Sequence, residues 1–398
     1  MQKLIKFLTS RLHTFTRFET LEHFIIFLET FLYHQRLTWD RKNKHPIPTR
    51  KTKLIPWYTQ SALVIFVACA IPVKVVLEIL AYKKDPEFTL TTGLMFSLFQ
   101  SILTISVVNV FTYIFKIDEL RFGLGNLWKM KNTADANFEP RSDPPQYDMV
   151  GIVFHGFIPN VLTYPITAAT LPFLLQRDDP LYHILRPATF IPSNLRLLLR
   201  VCFLFFGAMH CATILLLGTI FCLTIGEAFR TCQNVLLFGT KNPKIMFGRN
   251  LFFPFSMDLH KYRQLSIIAK VTNEFIYYTL PVSFLVEILG GVVCGYILIK
   301  MTGLIPITLT VLVANCAILM IVIILWVVRQ FGDVFYQSGD VIRAWNLSVG
   351  ESKYRSRQVK SCQRLRIELG PFCFIKNETR LEMISQMTYY TISLVMSV

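Results

Sequence analysis

Residues 381–397, LEMISQMTYYTISLVMS, form a mostly apolar run with almost nothing after it. Six longer runs precede it, so the chain is expected to end inside a membrane on a seventh span. No cytoplasmic tail is expected, which leaves no room for a receptor that couples through one. The run carries Gln386, Thr388, Tyr389, Tyr390, Thr391 and Ser393. Buried hydroxyls and amides need partners or water. This span is therefore expected to pack on protein or line a pore rather than face lipid.

The earlier runs lie at 57–81, 91–115, 149–175, 198–225, 274–300 and 302–328. Each is about long enough for a bilayer. Of 398 residues, 53% are hydrophobic and 34 are Phe, and the mean hydropathy is +0.46. Such a composition suits an all-α membrane protein with seven transmembrane helices, not a soluble domain. Pro159, Pro165 and Pro172 predict a kink in the third span. The fourth continues as a helical pattern through 226–237, expected to project into the cytoplasm. The N-terminal residues 1–24 are broken by charge every few positions and lack a cleavage site. They read as an amphipathic cytoplasmic helix.

Loop charge sets the orientation. Thirty Lys and Arg fall in 1–55, 116–141, 241–270 and 329–366, against six in the alternate loops. By the positive-inside rule the N-terminus is cytoplasmic and the C-terminus extracellular. The net charge of +16 sits beside spans, so anionic membrane lipid is the expected partner. No recognition motif accompanies the charge, and nucleic acid is not expected. Nine cysteines form no CxxC pair and predict neither a disulfide framework nor a metal site. The sequons at Asn346 and Asn377 fall on the inner side and read as chance matches. The chain divides into a cytoplasmic region at 1–56, spans one to six at 57–328, cytoplasmic anchor helices at 329–376 and the last span at 377–398. Within the anchor, helical stretches are predicted at 333–345 and 351–364, and a Gly-Pro turn at Gly370-Pro371 precedes the last span.

Catalytic constellations are absent from the sequence, and no cofactor is implied. His155, His183 and His210 are scattered, and no P-loop, GxSxG or HExxH occurs. Lys74 and Glu78, four apart, can pair on one helix face. Glu287 is an isolated carboxylate in the fifth span, where charge defaults to a functional reading. Gly291 and Gly295 have the spacing of close helix packing. Aromatic and hydroxyl side chains gather in the outer halves of spans two to four: Phe96, Phe99, Gln100, Tyr164, Thr167, Phe203, Phe206 and His210. They suit a pocket for a small, mostly apolar molecule; the same residues suit an ordinary aromatic-rich core. In the last span Ile384, Thr388, Ile392 and Val395 share a helical face with Thr391 at its margin, and Gln386, Tyr390 and Ser393 lie opposite. Polar residues fall on both faces, so periodicity does not select the wet one.

Thr388-Tyr389, followed by a hydrophobic run to the end, resembles the terminal signature of arthropod gustatory receptors, whose superfamily includes insect odorant receptors. The stretch Arg364-Leu365-Arg366-Ile367-Glu368-Leu369-Gly370-Pro371-Phe372 resembles the link before their final helix. Tyr262-Arg263-Gln264-Leu265 with Asn273 fits the same pattern. The family signature usually closes with Gln-Phe, where this chain has Val395-Met396. The resemblance implies a plasma-membrane ligand-gated cation channel of four identical or mixed subunits, opened by a tastant or odorant. It implies that the last helix lines the pore through Thr388, Ile392, Val395 and Met396, with Ile392 and Met396 at the gate. A small-molecule ligand would then meet Phe99, Gln100, Tyr164, Thr167, Phe206 and His210. A G-protein-coupled receptor would need the opposite charge bias, and a secondary transporter an internal repeat.

Overall fold

The computed structural model describes residues 19–40, 45–80, 85, 88, 90–136, 148–175, 179–241, 253–303, 305–348 and 352–397. The first part of the N-terminal helix expected at 1–24 lies outside the described residues. Among the described residues, six helices are long and apolar enough to cross a bilayer: Lys51–Leu80, Thr92–Phe115, Gly151–Leu174, Ser193–Leu237, Thr279–Lys300 and Leu309–Ser348. They coincide with the first six apolar runs, and the chain is a multi-pass membrane protein. The terminal helix, Thr379–Ser397, is more polar and is not among them.

Helix α1 (Glu19–Phe31) buries Leu21, Phe24, Ile25 and Leu28, the i, i+3, i+4, i+7 spacing of one apolar stripe. A short hairpin follows, β1 (Leu37–Asp40) antiparallel to β2 (His45–Pro48). Its Trp39 meets Trp128 edge-on at 5.6 Å. Trp128 stands on α4 (Ile117–Ala136), which continues the second membrane helix, α3 (Leu90–Phe115). The first membrane helix, α2 (Ile55–Leu80), holds the Lys74–Glu78 pair at 3.8 Å.

The third apolar run breaks where a kink was predicted. Helix α5 (Met149–Gly156) ends in tight turns, and α6 (Asn160–Leu174) begins after Pro159. Pro159 has no N–H to continue the ladder. Pro165 and Pro172 stay within α6. A short α7 (Pro180–Leu185) precedes α8, which runs unbroken over 49 residues from Ser193 to Lys241. At 1.5 Å per residue α8 is about 74 Å long, more than twice the ~30 Å of a hydrocarbon core. It is the spine of the molecule, burying Ile214, Leu217, Ile220, Phe221, Phe229 and Leu236.

Helix α9 (Phe253–Ile276) leads into α10 (Thr279–Lys300). Helix α11 (Ile307–Ile323) passes through a π-helical turn, Ile324–Val328, directly into α12 (Arg329–Ser348). The sequence division at 328/329 thus falls inside one continuous rod. A π turn inserts a residue into the ladder and rotates the faces that follow, so the apolar α11 and the amphipathic α12 each keep their packed side inward. Helix α13 (Lys353–Lys360) is shorter than the stretch predicted at 351–364.

Residues 362–367 form no regular element, and polar groups on neighbouring helices take their backbone bonds. Tyr262 Oη donates to the Gln363 carbonyl at 2.7 Å. Ser338 Oγ accepts from Leu365 N–H at 3.0 Å. Asn273 donates to the Arg366 carbonyl and accepts from Glu368 N–H, both at 3.1 Å. The hairpin β3 (Glu368–Leu369) and β4 (Cys373–Phe374) follows. Its turn holds Gly370 at φ +56°, where an added Cβ would lie 2.9 Å from Pro281 Cγ. Both the left-handed backbone and the close approach require glycine there. The hairpin hands the chain to α14 (Thr379–Ser397).

Candidate functional site

A cavity of about 280 Å³ lies within the membrane helices, lined by α2, α3, α6, α7, α8, α9, α10 and α11. Most of its wall is apolar, built from residues such as Val64, Leu98, Phe99, Leu171, Phe203, Phe284 and Leu312. Polar groups enter at a few places: Tyr164 from α6, Asn109 and Tyr113 from α3, and Thr279, Ser283 and Glu287 from α10. The last three are spaced i, i+4, i+8 and form one stripe along α10. Pro180 and Leu181 of α7 close one end. Asp179 holds them there: its carboxylate caps α7 by accepting Leu181 N–H at 3.0 Å and pairs with Arg200 Nε at 2.8 Å. Burial pushes the Asp179 carboxyl above the usual carboxylate range, and Arg200 beside it pulls the other way.

Of the ligand residues named from the sequence, Phe99 and Tyr164 line this cavity. Gln100 instead donates to Thr104 Oγ1 at 3.2 Å. Thr167 bonds the Thr163 carbonyl of its own helix. Phe206 is 42% exposed. Phe96 packs against Phe88 and His183. His210 is fully buried and bridges two elements, with Nδ1 2.6 Å from Tyr33 Oη and Nε2 2.9 Å from Ser61 Oγ. These five lie off the cavity because the rotation of each helix decides what its side chains face. The polar stripe of α10 was missed, although Thr279, Ser283 and Glu287 at four-residue spacing are visible in the sequence.

The second candidate element is α14. Its buried residues are Met383, Met387 and Thr391, and this stripe lies along α10. A Cβ on Gly291 would overlap the Met387 methyl, and one on Gly295 would lie 2.7 Å from Thr391 Cγ2. The GxxxG spacing therefore seats the terminal helix. Thr388, Ile392 and Met396 are exposed, Ile392 by 55% and Met396 by 81%. Val395 is partly buried against the cluster that contains Cys294 and Ile297. Gln386, Tyr390 and Ser393 are exposed as well. Replacing Gly295 by Val should force α14 off α10, because Thr391 is β-branched and has little freedom to yield. Overpacking of this kind costs about 1–3 kcal/mol. The melting temperature of the detergent-solubilised protein should fall, more than for Gly291→Ala, where flexible Met387 can move aside. An unchanged melting temperature for Gly295→Val would show that the two helices do not pack here.

The whole arrangement has counterparts among solved structures. The insect olfactory receptor OR5 from Machilis hrabei, in complex with eugenol, matches with a TM-score of 0.61 at 11% identity, over 95% of this chain and 98% of that one. A second structure of the same receptor matches with a TM-score of 0.58, again at 11% identity, over 99% of each chain. The chain has the insect olfactory receptor fold. No family model matches the sequence, and no curated protein does. The likeness spans nearly the full length of the chain, at an identity where only the architecture is shared.

Proposed function

We propose that this protein is a chemosensory receptor that works as a ligand-gated cation channel, assembled from four identical or related subunits in the plasma membrane. The observation that carries the reading is the olfactory receptor fold over nearly the full length of both chains, with a mostly apolar cavity inside the helices. A small molecule occupying that cavity would contact α10, on which the terminal helix is seated. Ligand binding would thereby bias the position of α14. The 30-to-6 loop charge contrast supports a cytoplasmic N-terminus and an extracellular C-terminus, with α14 as a seventh span. The basic inner segments would rest on anionic lipid. Residues 329–376 would join the subunits beneath the membrane, and α14 of each would line the central pore through Thr388, Ile392 and Met396, with Val395 behind them at the α10 interface.

Current recording from cells expressing the chain, challenged with a chemical panel while G-protein signalling is blocked, tests this reading. Ligand-evoked cation current should persist under the block and reverse near the cation equilibrium potential. Responses that vanish with the block would indicate a G-protein-coupled receptor instead. Ligand uptake without current would indicate a transporter.

A further inference from the structure

Glu287 is 9% exposed, and its Oε2 is buried with no hydrogen-bond partner. Among the described residues that line the cavity it is the only one with an acidic carboxyl group, and no Lys, Arg or His lines it. Tyr113, 2% exposed, also leaves its phenolic oxygen without a partner. Asn109 spends its amide N–H on the Ile105 carbonyl at 2.9 Å, which leaves Oδ1 as an acceptor. A Cβ placed on Gly218 would lie 3.1 Å from Asn109 Oδ1 and 3.5 Å from Tyr113 Oη, so both oxygens converge on one spot of α8. Thr112 bonds Thr279 at 2.6 Å, and a Cβ on Gly290 would lie 3.9 Å from Ser101 Cβ. Those two contacts fix α3 and α10 as antiparallel neighbours. Asn109 consequently falls opposite Ser283, one helical turn from Glu287.

We propose that Glu287 is the recognition group for a small protonated organic amine whose apolar body lies along the Leu98–Phe203–Leu312 wall. The assignment deepens the chemosensory reading by naming the ligand class of that cavity. An unpaired buried carboxylate is expensive, and a paired one far less so. An ammonium supplies the missing charge and three donors with no acceptor. Glu287, Asn109 Oδ1 and Tyr113 Oη are the acceptors offered to it. A hydroxyl of the same shape supplies one donor and leaves the charge unmatched. The volume, at the small end of ligand sites, limits the body to a single ring or a short chain.

The test uses the purified full-length protein in lipid nanodiscs and three isosteric pairs: phenethylamine and 2-phenylethanol, benzylamine and benzyl alcohol, hexylamine and 1-hexanol. The readout is the ligand concentration giving half the maximal rise in melting temperature. At least one amine should act at a concentration about tenfold or more below its alcohol, as charge-assisted hydrogen bonds imply. Glu287→Gln should abolish that difference and leave the alcohol response in place. Tyr113→Phe should weaken the amine severalfold, and it reads the site independently if Glu287→Gln does not yield a monodisperse protein. Equal potency within all three pairs, or an amine preference that survives Glu287→Gln, would overturn the proposal. Binding is read without current, so amine binding in a chain that never conducts would uphold this site and sink the channel reading. Ligand-gated current with no amine preference would sink this site alone.

Discussion

Cells expressing Ile392→Ser should carry current in the absence of any ligand, at least severalfold above cells expressing the unmodified chain. Ile392 is 55% exposed on α14 while Met383, Met387 and Thr391 on the other side are buried against α10. Thr388, Ile392 and Met396 follow at four-residue spacing, so their side chains stack along one exposed line. In a four-fold assembly that line would meet its copies around the axis. A ring of Ile side chains excludes water and blocks ions without any charged plug. A ring of Ser hydroxyls holds water, so the constriction wets and conducts. Ile392→Val, which stays apolar, should keep the resting current low. Cysteines at Thr388 and Ile392 should react with water-soluble thiol reagents and change conductance. A cysteine at Val395 should react slowly, since Val395 packs against the Cys294–Ile297 cluster. Fast reaction at Ser393 with none at Thr388 would mean that the helix presents its other exposed face to the pore.

The largest stability loss is expected from Trp345→Ala. Trp345 is 1% exposed and meets Tyr262 edge-on at 5.4 Å and Phe255 at 6.0 Å. Val334, Val341 and Val359 are buried in the same core. Removing an indole from such a site costs about 3–5 kcal/mol, through lost transfer energy and the cavity left behind. Tyr262 would also lose the ring that orients it, and with it the hydroxyl that holds the Gln363 carbonyl. The segment leading to α14 would loosen at its first attachment. The melting temperature of the solubilised protein should drop by roughly 5 °C or more. Trp345→Phe should lose much less. A melting temperature unmoved by Trp345→Ala would show that the α9–α12 contact contributes little to holding the fold.

The membrane helices were legible from the chain because each apolar run needs only its own composition to announce itself. Pro159, Pro165 and Pro172 announced a kink in the third run, since a missing N–H acts locally, and the structure placed the break at Pro159. Gly291 and Gly295 announced a close helix contact by spacing alone, and Lys74–Glu78 a pair by the i, i+4 rule. Which way the six candidate ligand residues face was not legible. Phe99 and Tyr164 line the cavity, whereas Gln100, Thr167, Phe206 and His210 do not. His210 shows the reason most directly: its partner Tyr33 lies 177 residues away, and no local pattern encodes that meeting.

The sequence by itself determined where the apolar helices lie, that the third one is interrupted, and that Gly291 and Gly295 permit a neighbour to come close. Only the tertiary structure decided which neighbour that is and how it is rotated. Periodicity along 381–397 left two faces of similar character. Met387 and Thr391, on neither of those faces, fit over two glycines on another helix and leave both faces exposed. In the same way Thr279, Ser283 and Glu287 became one wall of a cavity only when α3 and α8 closed around them. A helix carries its own hydrogen bonds and so can be read from its own residues, but the angle at which it meets its neighbours is set by side-chain shapes that lie far apart along the chain.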